Sequence, residues 1–259
     1  MDLTTTLGYV PGFLDTYNLR DLGGIRARDG RRVRHGLLYR GSTLAGLDDV
    51  QRALVDGFGL RFMLDLRARG EAAEAEDYVP KGAAYLRVGG MRMADGGEVD
   101  FSPSGIGKMR DKIQTLGENF MLDLYTSMAF DNPAVNELVT HFAAQDAPLY
   151  FHCSAGKDRT GVCAAVLLMA LNVPDDAIVA DFLLTNEYRA GIMRNVPAQL
   201  PPWVPDADTW AKINGVNESD LRAVFAAIDK RYDSREAYLA TEFGLDAAKL
   251  AELRDYYLA

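Results

Sequence analysis

The fold of this chain is decided by one stretch, Phe151-His152-Cys153-Ser154-Ala155-Gly156-Lys157-Asp158-Arg159-Thr160-Gly161. A short apolar run over 148–151 leads into it, and a longer apolar run over 162–171 leads out of it. Apolar runs of these lengths, joined by a glycine-containing segment, predict a buried strand, a tight loop and a buried helix. The few residues between Cys153 and Arg159 are enough to curl into a cradle of backbone N–H groups at the start of the helix.

The residue types in this loop favour the binding and transfer of a phosphoryl group. Helix N-termini attract anions, and Arg159 adds a planar guanidinium that fits two oxygens of a phosphate. Cys153 would lie beneath the anion as a thiolate stabilised by the helix dipole and by the same arginine. Such an arrangement suits covalent transfer of the phosphoryl group to sulfur. The predicted substrate-binding residues are those of the cradle: Ser154, Ala155, Gly156 and Lys157.

Strands and helices alternate along the rest of the chain. Apolar runs predict strands at 37–40, 60–66, 83–88 and 148–151. Helical spacing and capping residues predict helices over 48–57, 118–130, 133–144 and 175–189, then three closing helices over 219–232, 234–243 and 246–258. The Asp29-Gly30 pair predicts a hairpin over 25–34. This order predicts an α/β fold with a mainly parallel central sheet flanked by helices and additional C-terminal helices.

Length and charge restrict the classes of function. At 259 residues the chain is long enough for one large core, so a single domain over 1–259 is expected. The formal net charge of −9 argues against a nucleic-acid-binding protein and against nonspecific adhesion to anionic membranes. Because the chain as a whole would repel an anionic substrate, any attraction must be local to the site.

The remaining composition predicts a cytoplasmic enzyme that works without a cofactor. Residues 1–20 carry no recognisable signal peptide, and the longest apolar run, 162–171, is too short to span a bilayer. Export by a route without a cleavable signal stays open. The two cysteines, Cys153 and Cys163, belong to one strand–loop–helix unit and do not make a disulfide framework. The three histidines are scattered, so no metal site is predicted.

Residues 152–161 resemble the signature loop of cysteine-dependent protein tyrosine phosphatases, and the chain resembles a bacterial group of that superfamily with mycobacterial and Listeria members. Further stretches occur in the expected order: Asn18-Leu19-Arg20-Asp21, Leu38-Tyr39-Arg40-Gly41-Ser42, Leu64-Asp65-Leu66-Arg67 with Glu71, and Ala180-Asp181-Phe182-Leu183. Residue 41 is a departure, since a small hydroxyl residue is expected there. The resemblance covers about residues 15–258 and implies a tyrosine-phosphatase-like fold.

The resemblance also implies a two-step hydrolysis through a cysteinyl-phosphate. Cys153 attacks phosphorus, while Arg159 and the N–H groups of residues 154–159 hold the equatorial oxygens. Thr160 would hydrogen-bond the Cys153 sulfur and ease its departure in the second step. His152 is expected to orient the loop by hydrogen bonds rather than to act as a base.

The leaving oxygen needs a proton, and no Trp-Pro-Asp stretch of the kind found in the usual tyrosine phosphatases occurs here. Asp158 lies inside the loop, which resembles the loops of myotubularins and Sac-type phosphoinositide phosphatases, where an aspartate is the suspected acid. We therefore predict Asp158 as the general acid, with Asp95, Asp100 and Asp65 as alternatives. The competing interpretation of Asp158 is a salt bridge or cap at the helix start.

Lys157 gives the cradle a second cation, and its competing interpretation is a solvent-exposed lysine. In phosphoinositide phosphatases a lysine in this loop is thought to contact additional phosphates. The expected substrates are therefore phosphorylated proteins, with phosphotyrosine first and phosphoserine or phosphothreonine next, and phosphoinositides. Two other functions stay open: a catalytically inactive phosphate-binding module, and a sulfur- or arsenic-transferring enzyme with a thiolate loop.

Three features outside the loop complete the expectations. Arg20 and Asp21 either line the rim of the site or form structural ion pairs, and ion pairing is favoured. Cys163 follows Arg159 by one helical turn inside an apolar run and is expected in the core. Residues 195–208 contain four prolines, and by resemblance and composition the segment 195–258 is expected to be a helical, lid-like cover.

Overall fold

The computed structural model describes residues 8–11, 13, 17–93, 95–102, 104–105, 120–195, 197–200, 204 and 206–259. The predicted helix start at 118–119 and five positions of the proline-containing segment, 196, 201–203 and 205, lie outside the described residues.

A five-stranded sheet forms the centre of the fold. Its strands are β1 (Arg20–Asp21), β2 (Leu38–Ser42), β3 (Phe62–Asp65), β4 (Ala84–Arg87) and β5 (Leu149–Cys153). Their order across the sheet is β1-β2-β5-β3-β4. The pairs β2–β5, β5–β3 and β3–β4 are parallel, whereas the short edge strand β1 is antiparallel to β2. The predicted α/β fold with a mainly parallel sheet is confirmed.

The middle of the sheet belongs to β5, the strand that ends at Cys153. In the parallel register Ser42 of β2 lies opposite Cys153, and Asp65 of β3 lies opposite His152. All three strands are buried along their length, which explains why β3 and β5 are nearly continuous apolar runs rather than alternating patterns. Their carboxyl ends meet at one edge, so the loop after β5 leaves the sheet at the position where such folds bind ligands.

Eleven helices accompany the sheet in the described part of the chain. They are α1 (Asp49–Asp56), α2 (Arg69–Glu74), α3 (Phe120–Ser127), α4 (Pro133–Ala143), α5 (Asp158–Ala170), α6 (Asp175–Tyr188), α7 (Ala190–Arg194), α8 (Ala207–Asn214), α9 (Glu218–Arg231), α10 (Arg235–Phe243) and α11 (Ala247–Tyr257). Several starts have a clear cause, because the side chains of Asp48, Asn132 and Ser234 accept hydrogen bonds from first-turn N–H groups.

The hydrophobic core surrounds α5, in which every residue over 159–170 is buried. This explains the apolar run after the loop, since a helix covered on all sides is hydrophobic all round. The closing helices belong to the same core, because Leu221 of α9, Leu239 of α10 and Leu253 of α11 are fully buried in it. Each such leucine contributes about 2 kcal/mol of burial free energy, so α9–α11 are integral to the fold.

The predicted hairpin over 25–34 is present, with its turn at Gly30, which adopts a φ of 92°. The Ala27 N–H donates to the Arg31 carbonyl oxygen at 2.8 Å, and the Val33 N–H donates to the Ile25 carbonyl oxygen at 2.9 Å. A further bridge joins Val33 to Leu258, so the hairpin also packs against the end of the chain.

Both cysteines are buried and free. Within the described ranges, no helix has the length and apolar composition needed to cross a membrane.

Candidate active site

The loop between β5 and α5 is shaped by a glycine. Cys153 ends β5 and is 1% exposed, and Asp158 begins α5. Gly156 adopts a left-handed φ of 65°, and a Cβ atom there would lie 2.3 Å from the carbonyl carbon of Gly41 at the end of β2. The left-handed conformation and the close approach together restrict this position to glycine. Position 41 also favours glycine, because a Cβ atom there would lie 2.5 Å from the hydroxyl of Tyr150.

Two buried side chains bind the outer side of the loop. Asn18 Nδ2 donates to the carbonyl oxygens of Gly156 and Ala155 at 3.0 and 3.2 Å. Arg40 Nη2 donates to the same Gly156 oxygen at 3.0 Å. The C=O and the following N–H of a trans peptide unit point in opposite directions, so these bonds turn the N–H groups of Gly156 and Lys157 to the opposite side of the loop. The expected cradle therefore has a physical cause in Asn18 and Arg40.

Asp181 on α6 holds the residues that anchor the loop. Its carboxylate accepts from Arg20 Nε at 2.8 Å and from Arg40 Nη1 at 2.6 Å, and Arg20 Nη1 donates to Asn18 Oδ1 at 2.6 Å. Burial acts to raise the pKa of Asp181, but the two guanidinium groups outweigh it and the pKa lies below its usual value. Burial, together with the neighbouring Arg20, lowers the pKa of Arg40 to about 10. Arg20 thus forms structural ion pairs, as favoured from the sequence.

Arg159 is held in one orientation by Glu71 of α2. Its Nη1 and Nη2 donate to Glu71 Oε2 and Oε1 at 2.6 and 2.8 Å, a bidentate pair that fixes the plane of the guanidinium. The Ser154 hydroxyl donates to Oε1 at 2.5 Å, and the Ala68 N–H donates to Oε2 at 3.0 Å. The ring of Phe101 lies 5.4 Å from the guanidinium carbon. Glu71 therefore fixes both Arg159 and the beginning of the loop.

The charges in this pair persist near neutral pH. Burial acts to lower the pKa of Arg159, but the nearby Cys153 and Glu71 outweigh it, so the pKa is raised. Burial acts to raise the pKa of Glu71, but its bonds to Arg159 hold the pKa below the usual value. A permanent cation with a fixed plane therefore lies close to the Cys153 sulfur.

Among the described residues, the hydrogen-bond partners of the Asp158 carboxylate all bind one oxygen, Oδ1. Its Oδ1 accepts from the hydroxyl of Tyr125 on α3, in a short hydrogen bond, and from Lys157 Nζ at 3.0 Å. The Asp158 side chain is 19% exposed, so it reaches the solvent side of the loop. The carboxylate therefore forms a salt bridge with Lys157 at the start of α5, as the competing interpretation expects. Its role as the general acid stays a prediction.

Asp65 is a poor alternative for the general acid. It is fully buried and receives hydrogen bonds from Arg67 at 2.9 and 2.8 Å and from the Tyr85 hydroxyl at 2.8 Å. Burial acts to raise its pKa, but His152 and Arg67 outweigh it and the pKa is lowered to about 2. A carboxyl group that is ionised at neutral pH and shielded from solvent cannot donate a proton to a substrate.

The other two alternatives lie on the loop after β4. Asp95 is exposed and accepts a hydrogen bond from the Gly97 N–H at 3.0 Å, within its own turn. Asp100 packs over the start of α2, since a Cβ atom on Gly70 would lie 2.1 Å from its Oδ2. Asp100 lies closer to the site along the chain than Asp95, because its neighbour Phe101 packs over the Arg159 guanidinium.

The end of α8 lies over the loop, and a backbone carbonyl there accepts a hydrogen bond from the second cation of the loop, Lys157. Lys157 Nζ donates to the carbonyl oxygen of Gly215 at 3.2 Å, in addition to its bond with Asp158. Arg189 donates to the carbonyl and side-chain oxygens of Asn214 at 3.1 and 3.0 Å. Burial lowers the pKa of Arg189, against the opposing charges of Asp158 and Cys153, so this arginine also faces the site. Lys157 is therefore paired rather than solvent-exposed.

Three more sequence predictions concern the vicinity of the nucleophile. The Thr160 hydroxyl is buried and has no hydrogen-bond partner among the described residues, so the expected bond to the Cys153 sulfur is not formed here. His152 is fully buried and its Nδ1 lies 3.2 Å from the Cys153 carbonyl oxygen, in keeping with an orienting role. Cys163 is fully buried, as expected, and burial and the nearby Cys153 raise the pKa of its thiol.

One cluster beneath the loop has the composition of a metal site. Asp65, Asp77 and His152 bring three potential ligand atoms within 4.8 Å of one another. The Arg67 guanidinium, however, bonds to both carboxylates and supplies the positive charge there. The cluster is accordingly filled by a side-chain cation.

Sequence reasoning did not assign roles to five residues that build this site. They are Asn18, Arg40, Glu71, Tyr125 and Asp181. All except Tyr125 stand in the flanking stretches that carried the family resemblance, so their order along the chain was an available signal. Tyr125 had none, because a tyrosine on an apolar helix is typical of a core residue.

Comparison with known proteins agrees with this geometry. The family model described as "Tyrosine phosphatase family" matches residues 12–259. A Cupriavidus necator protein named "Putative tyrosine-protein phosphatase" is 31% identical over 244 residues, which cover 93% of this chain and 86% of that protein. "Triple specificity protein phosphatase PtpB" of Mycobacterium tuberculosis is 29% identical over 271 residues, which cover 93% of this chain and 96% of that protein. A "Tyrosine-protein phosphatase" of Nostoc commune is 25% identical over 225 residues, 83% of this chain and 72% of that protein.

The resemblance inferred from the loop is therefore confirmed over nearly the whole chain. The match extends from the Asn18 stretch through the Cys153 loop to the closing helices. The chain belongs to the tyrosine phosphatase family and is a phosphoric monoester hydrolase of that type.

Proposed function

We propose that this phosphatase hydrolyses phosphate monoesters through a cysteinyl-phosphate intermediate. The observation that carries the proposal is the pairing of a buried Cys153 with an Arg159 guanidinium held bidentately by Glu71. Asn18 and Arg40 support it, because they turn the loop N–H groups away from the carbonyls they bind. Fixed donors around a phosphoryl group stabilise the charge that its oxygens carry in the transition state.

In the first step the Cys153 thiolate forms a bond to phosphorus as the bond from phosphorus to the leaving oxygen breaks. Arg159 and the loop N–H groups hold the equatorial oxygens. Asp158 gives its proton to the leaving oxygen, which departs as a neutral alcohol or phenol. The exposed side of the Asp158 carboxyl supports this role, and the burial of Asp65 argues against that alternative.

In the second step a water oxygen attacks phosphorus and the bond between sulfur and phosphorus breaks. Asp158, now a carboxylate, accepts the proton from the water, and the sulfur leaves as a thiolate. Thr160 donates a hydrogen bond to the departing sulfur after a rotation of its side chain. Its buried, unpartnered hydroxyl supports this role, since such a group costs free energy unless it gains a partner.

The substrates we propose are phosphotyrosine proteins first, then phosphoserine or phosphothreonine proteins and phosphoinositides. Lys157 and Arg189 support the wider range, because two further cations lie beside the cradle and meet additional anionic groups when they release Gly215 and Asn214. The name of the mycobacterial relative ascribes triple specificity to that protein. We propose a reducing compartment, the cytoplasm, as the location, in keeping with the free state of Cys153 and Cys163.

We also propose a single phosphatase domain over 1–259, with the covering role in 195–258 carried by the α8 end. The bonds of Lys157 and Arg189 to Asn214 and Gly215 support this part of the cover. Helices α9–α11 supply core residues, so they serve as its base.

Turnover of p-nitrophenyl phosphate in the presence of a metal chelator tests the proposal. We expect hydrolysis that is insensitive to chelation and is lost on Cys153→Ser. Parallel assays with a phosphotyrosine peptide, a phosphoserine peptide and a phosphoinositide then rank the substrates. Metal-dependent activity that survives the serine substitution would contradict the proposal, as would phosphopeptide binding without hydrolysis.

A further inference from the structure

The two oxygens of Asp158 have different surroundings. Oδ1 accepts hydrogen bonds from the Tyr125 hydroxyl and from Lys157 Nζ. No described residue donates a hydrogen bond to Oδ2, and the side chain is 19% exposed. A carboxylate oxygen has two lone pairs available for hydrogen bonds, so both of those on Oδ1 are used by the protein. A proton on this carboxyl group must therefore reside on Oδ2.

We infer that Tyr125 is a positioning residue for proton transfer, which holds Asp158 Oδ1 so that Oδ2 carries the proton to the leaving oxygen. The inference rests on the proposed role of Asp158 as the general acid. It adds to that role the atom that donates and the side chain that orients it. The proton moves from Oδ2 to the leaving oxygen, and in the second step from water back to Oδ2, while the Tyr125 hydroxyl keeps its own proton.

The surroundings of Tyr125 suit a fixed donor. The residue is 3% exposed, and its ring makes an edge contact with Phe182 at 6.4 Å between centroids. Burial and then the charge of Asp158 raise its pKa well above the usual value, so the hydroxyl stays protonated over the whole working range. A rigid aromatic ring loses little conformational entropy when its hydroxyl binds, which favours orientation over mere contact.

Several charges face this pair from the packed elements. Lys157, Arg159 and Arg189 stand on the side of Asp158, with the Cys153 thiol nearby, and Asp220 of α9 faces Tyr125. Substitution of an ionised neighbour would change the local field as well as the geometry. Removal of the Tyr125 hydroxyl alters no formal charge, so it isolates orientation from electrostatics.

A purely structural role for Tyr125 makes a different prediction. A buried hydroxyl needs some acceptor, and Asp158 would then be only the nearest one. Loss of such a bond would lower stability and slow all substrates alike. Loss of a positioning bond instead slows the substrates that need protonation of the leaving group, because a poor leaving group depends on the acid and a good one does not.

The test compares kcat/KM for two aryl phosphates, one with a strongly acidic phenol as leaving group and one with unsubstituted phenol. This constant reports the first step, in which the leaving group departs, and not the hydrolysis of the cysteinyl-phosphate that both substrates share. For Asp158→Asn we expect phenyl phosphate to slow at least about 100-fold more than the activated ester. For Tyr125→Phe we expect a selective loss of about tenfold, the equivalent of one hydrogen bond. The double variant should be no slower than Asp158→Asn alone, because Tyr125 acts through that carboxyl group.

Tyr238→Phe is the matched control. The Tyr238 hydroxyl, on α10, is also buried and donates to the carbonyl oxygen of Ala129 at 2.7 Å rather than to a residue of the loop. This variant should lose comparable stability and leave the ratio of the two rates unchanged. If Tyr125→Phe does not fold, Tyr125→Met fills the space with a flexible apolar side chain and should show the same selective loss.

The outcomes distinguish a failure of the positioning role of Tyr125 from a failure of the proposed acid role of Asp158. If Asp158→Asn loses the poor substrate selectively but Tyr125→Phe behaves like Tyr238→Phe, the positioning role is overturned and the proposed function stands. If Asp158→Asn slows both substrates equally, Asp158 is not the acid, and the inference falls with that part of the proposal. A selective loss in both single variants, with no further loss in the double variant, supports the positioning role.

Discussion

At the level of single residues, the proposed chemistry depends on the pair formed by Arg159 and Glu71. Both side chains are about 5% exposed, and their two hydrogen bonds leave the guanidinium little freedom to rotate. A buried ion pair adds little net stability relative to an apolar pair, but breaking it leaves one charge without a partner. The contribution of Glu71 is therefore orientation, and its loss should affect activity and stability together.

For Glu71→Gln we expect kcat/KM for an aryl phosphate to fall about 100-fold, because Arg159 no longer presents a fixed plane to the phosphate. The free energy of unfolding should fall by about 3 kcal/mol, since the arginine stays buried without its counter-charge. Steady-state kinetics and urea unfolding measure the two effects.

Glu218→Gln is the control for this change. Glu218 pairs with Arg222 at 2.5 Å on the exposed face of α9, where both side chains are nearly half exposed. Its substitution should cost less than about 1 kcal/mol and leave kinetics unchanged. Equal effects of the two substitutions would contradict the account of Glu71.

At the level of elements, the shape of the loop between β5 and α5 depends on its close contact with the end of β2. Gly156 packs against Gly41 so closely that any Cβ atom would overlap the backbone of β2. The carbonyl oxygen of Gly156 is also the one that Asn18 and Arg40 share. The shape of the loop is therefore determined by contacts with distant parts of the chain as much as by its own sequence.

Gly156→Ala should displace the loop from β2. We expect the free energy of unfolding to fall by at least about 2 kcal/mol, from left-handed strain and overpacking together. Inhibition by inorganic phosphate should weaken at the same time, because the N–H groups lose their alignment. Calorimetry and inhibition assays measure the two effects.

Gly30→Ala separates strain from overpacking. Gly30 also has a left-handed φ, of 92°, but a Cβ atom there would meet nothing within 4 Å. It should cost only about 1 kcal/mol and leave phosphate inhibition unchanged. An alanine at 156 that behaves like an alanine at 30 would show that the close approach to β2 is unimportant.

The elements that sequence could predict are those with a strong local signal. The buried strand at β5 and the apolar helix α5 follow from continuous hydrophobic runs, and capping side chains such as Asp48 and Ser234 mark helix starts. The proposed nucleophile and its arginine were likewise predicted from a local pattern, the Cys153–Arg159 spacing between a buried strand and an apolar helix. The hairpin over 25–34 likewise followed from its Asp29-Gly30 turn. The additional bridge from Val33 to Leu258 could not be predicted, because no local pattern reveals it.

The supporting residues could not be assigned from local sequence because their partners are far along the chain. Asn18 binds a loop that lies 138 positions away, and Tyr125 binds Asp158 across 33 positions. An asparagine before a strand and a tyrosine in a helix are individually ordinary. Their roles depend on which surfaces meet, and this is set by the packing of α3 and α6 against α5.

For the molecule as a whole, one buried network joins its beginning, its sheet and its later helices. Arg20 of β1, Arg40 of β2 and Asp181 of α6 are mutually bonded, and Arg40 extends the network to the loop. The net charge of −9 is thus compatible with an anionic substrate, since buried arginines surround the site. Stability and activity should be coupled through Asp181.

Asp181→Asn should lower the free energy of unfolding by about 3–5 kcal/mol, because two buried guanidinium groups lose their counter-charge. Activity should fall as well, since Arg40 then holds Gly156 less firmly. The control is Asp176→Asn, on the same helix as Asp181. Asp176 is an exposed partner of Arg222, so its substitution should change stability by less than about 0.5 kcal/mol. If the two variants were equally stable, the network would have no structural role.

Stability should depend on pH in the acid range. The pKa of Asp65 is lowered from 3.8 to about 2 in the folded state, and those of Asp181 and Glu71 are lowered as well. A lowered folded-state pKa stabilises the protein above the unfolded-state pKa, and this stabilisation is lost as pH falls toward the folded-state pKa.

We therefore expect the free energy of unfolding to decrease steadily from about pH 4 to about pH 2, measured by urea unfolding at constant ionic strength. Asp65→Asn should flatten this decrease. A stability that stays constant across this range would mean that the buried carboxylates are not held ionised by Arg67 and its counterparts.

The central claim is that the phosphoryl group passes through Cys153, and trapping the intermediate tests it most directly. A radiolabelled aryl phosphate with a strongly acidic phenol as leaving group, which needs no acid in the first step, is mixed with the enzyme. The reaction is quenched within one turnover, and the labelled peptide is identified by mass spectrometry. We predict one phosphoryl group on Cys153, enriched in Asp158→Asn, where water attack is slowed, and absent in Cys153→Ser. Label on another side chain, or hydrolysis that continues in Cys153→Ser, would contradict the account.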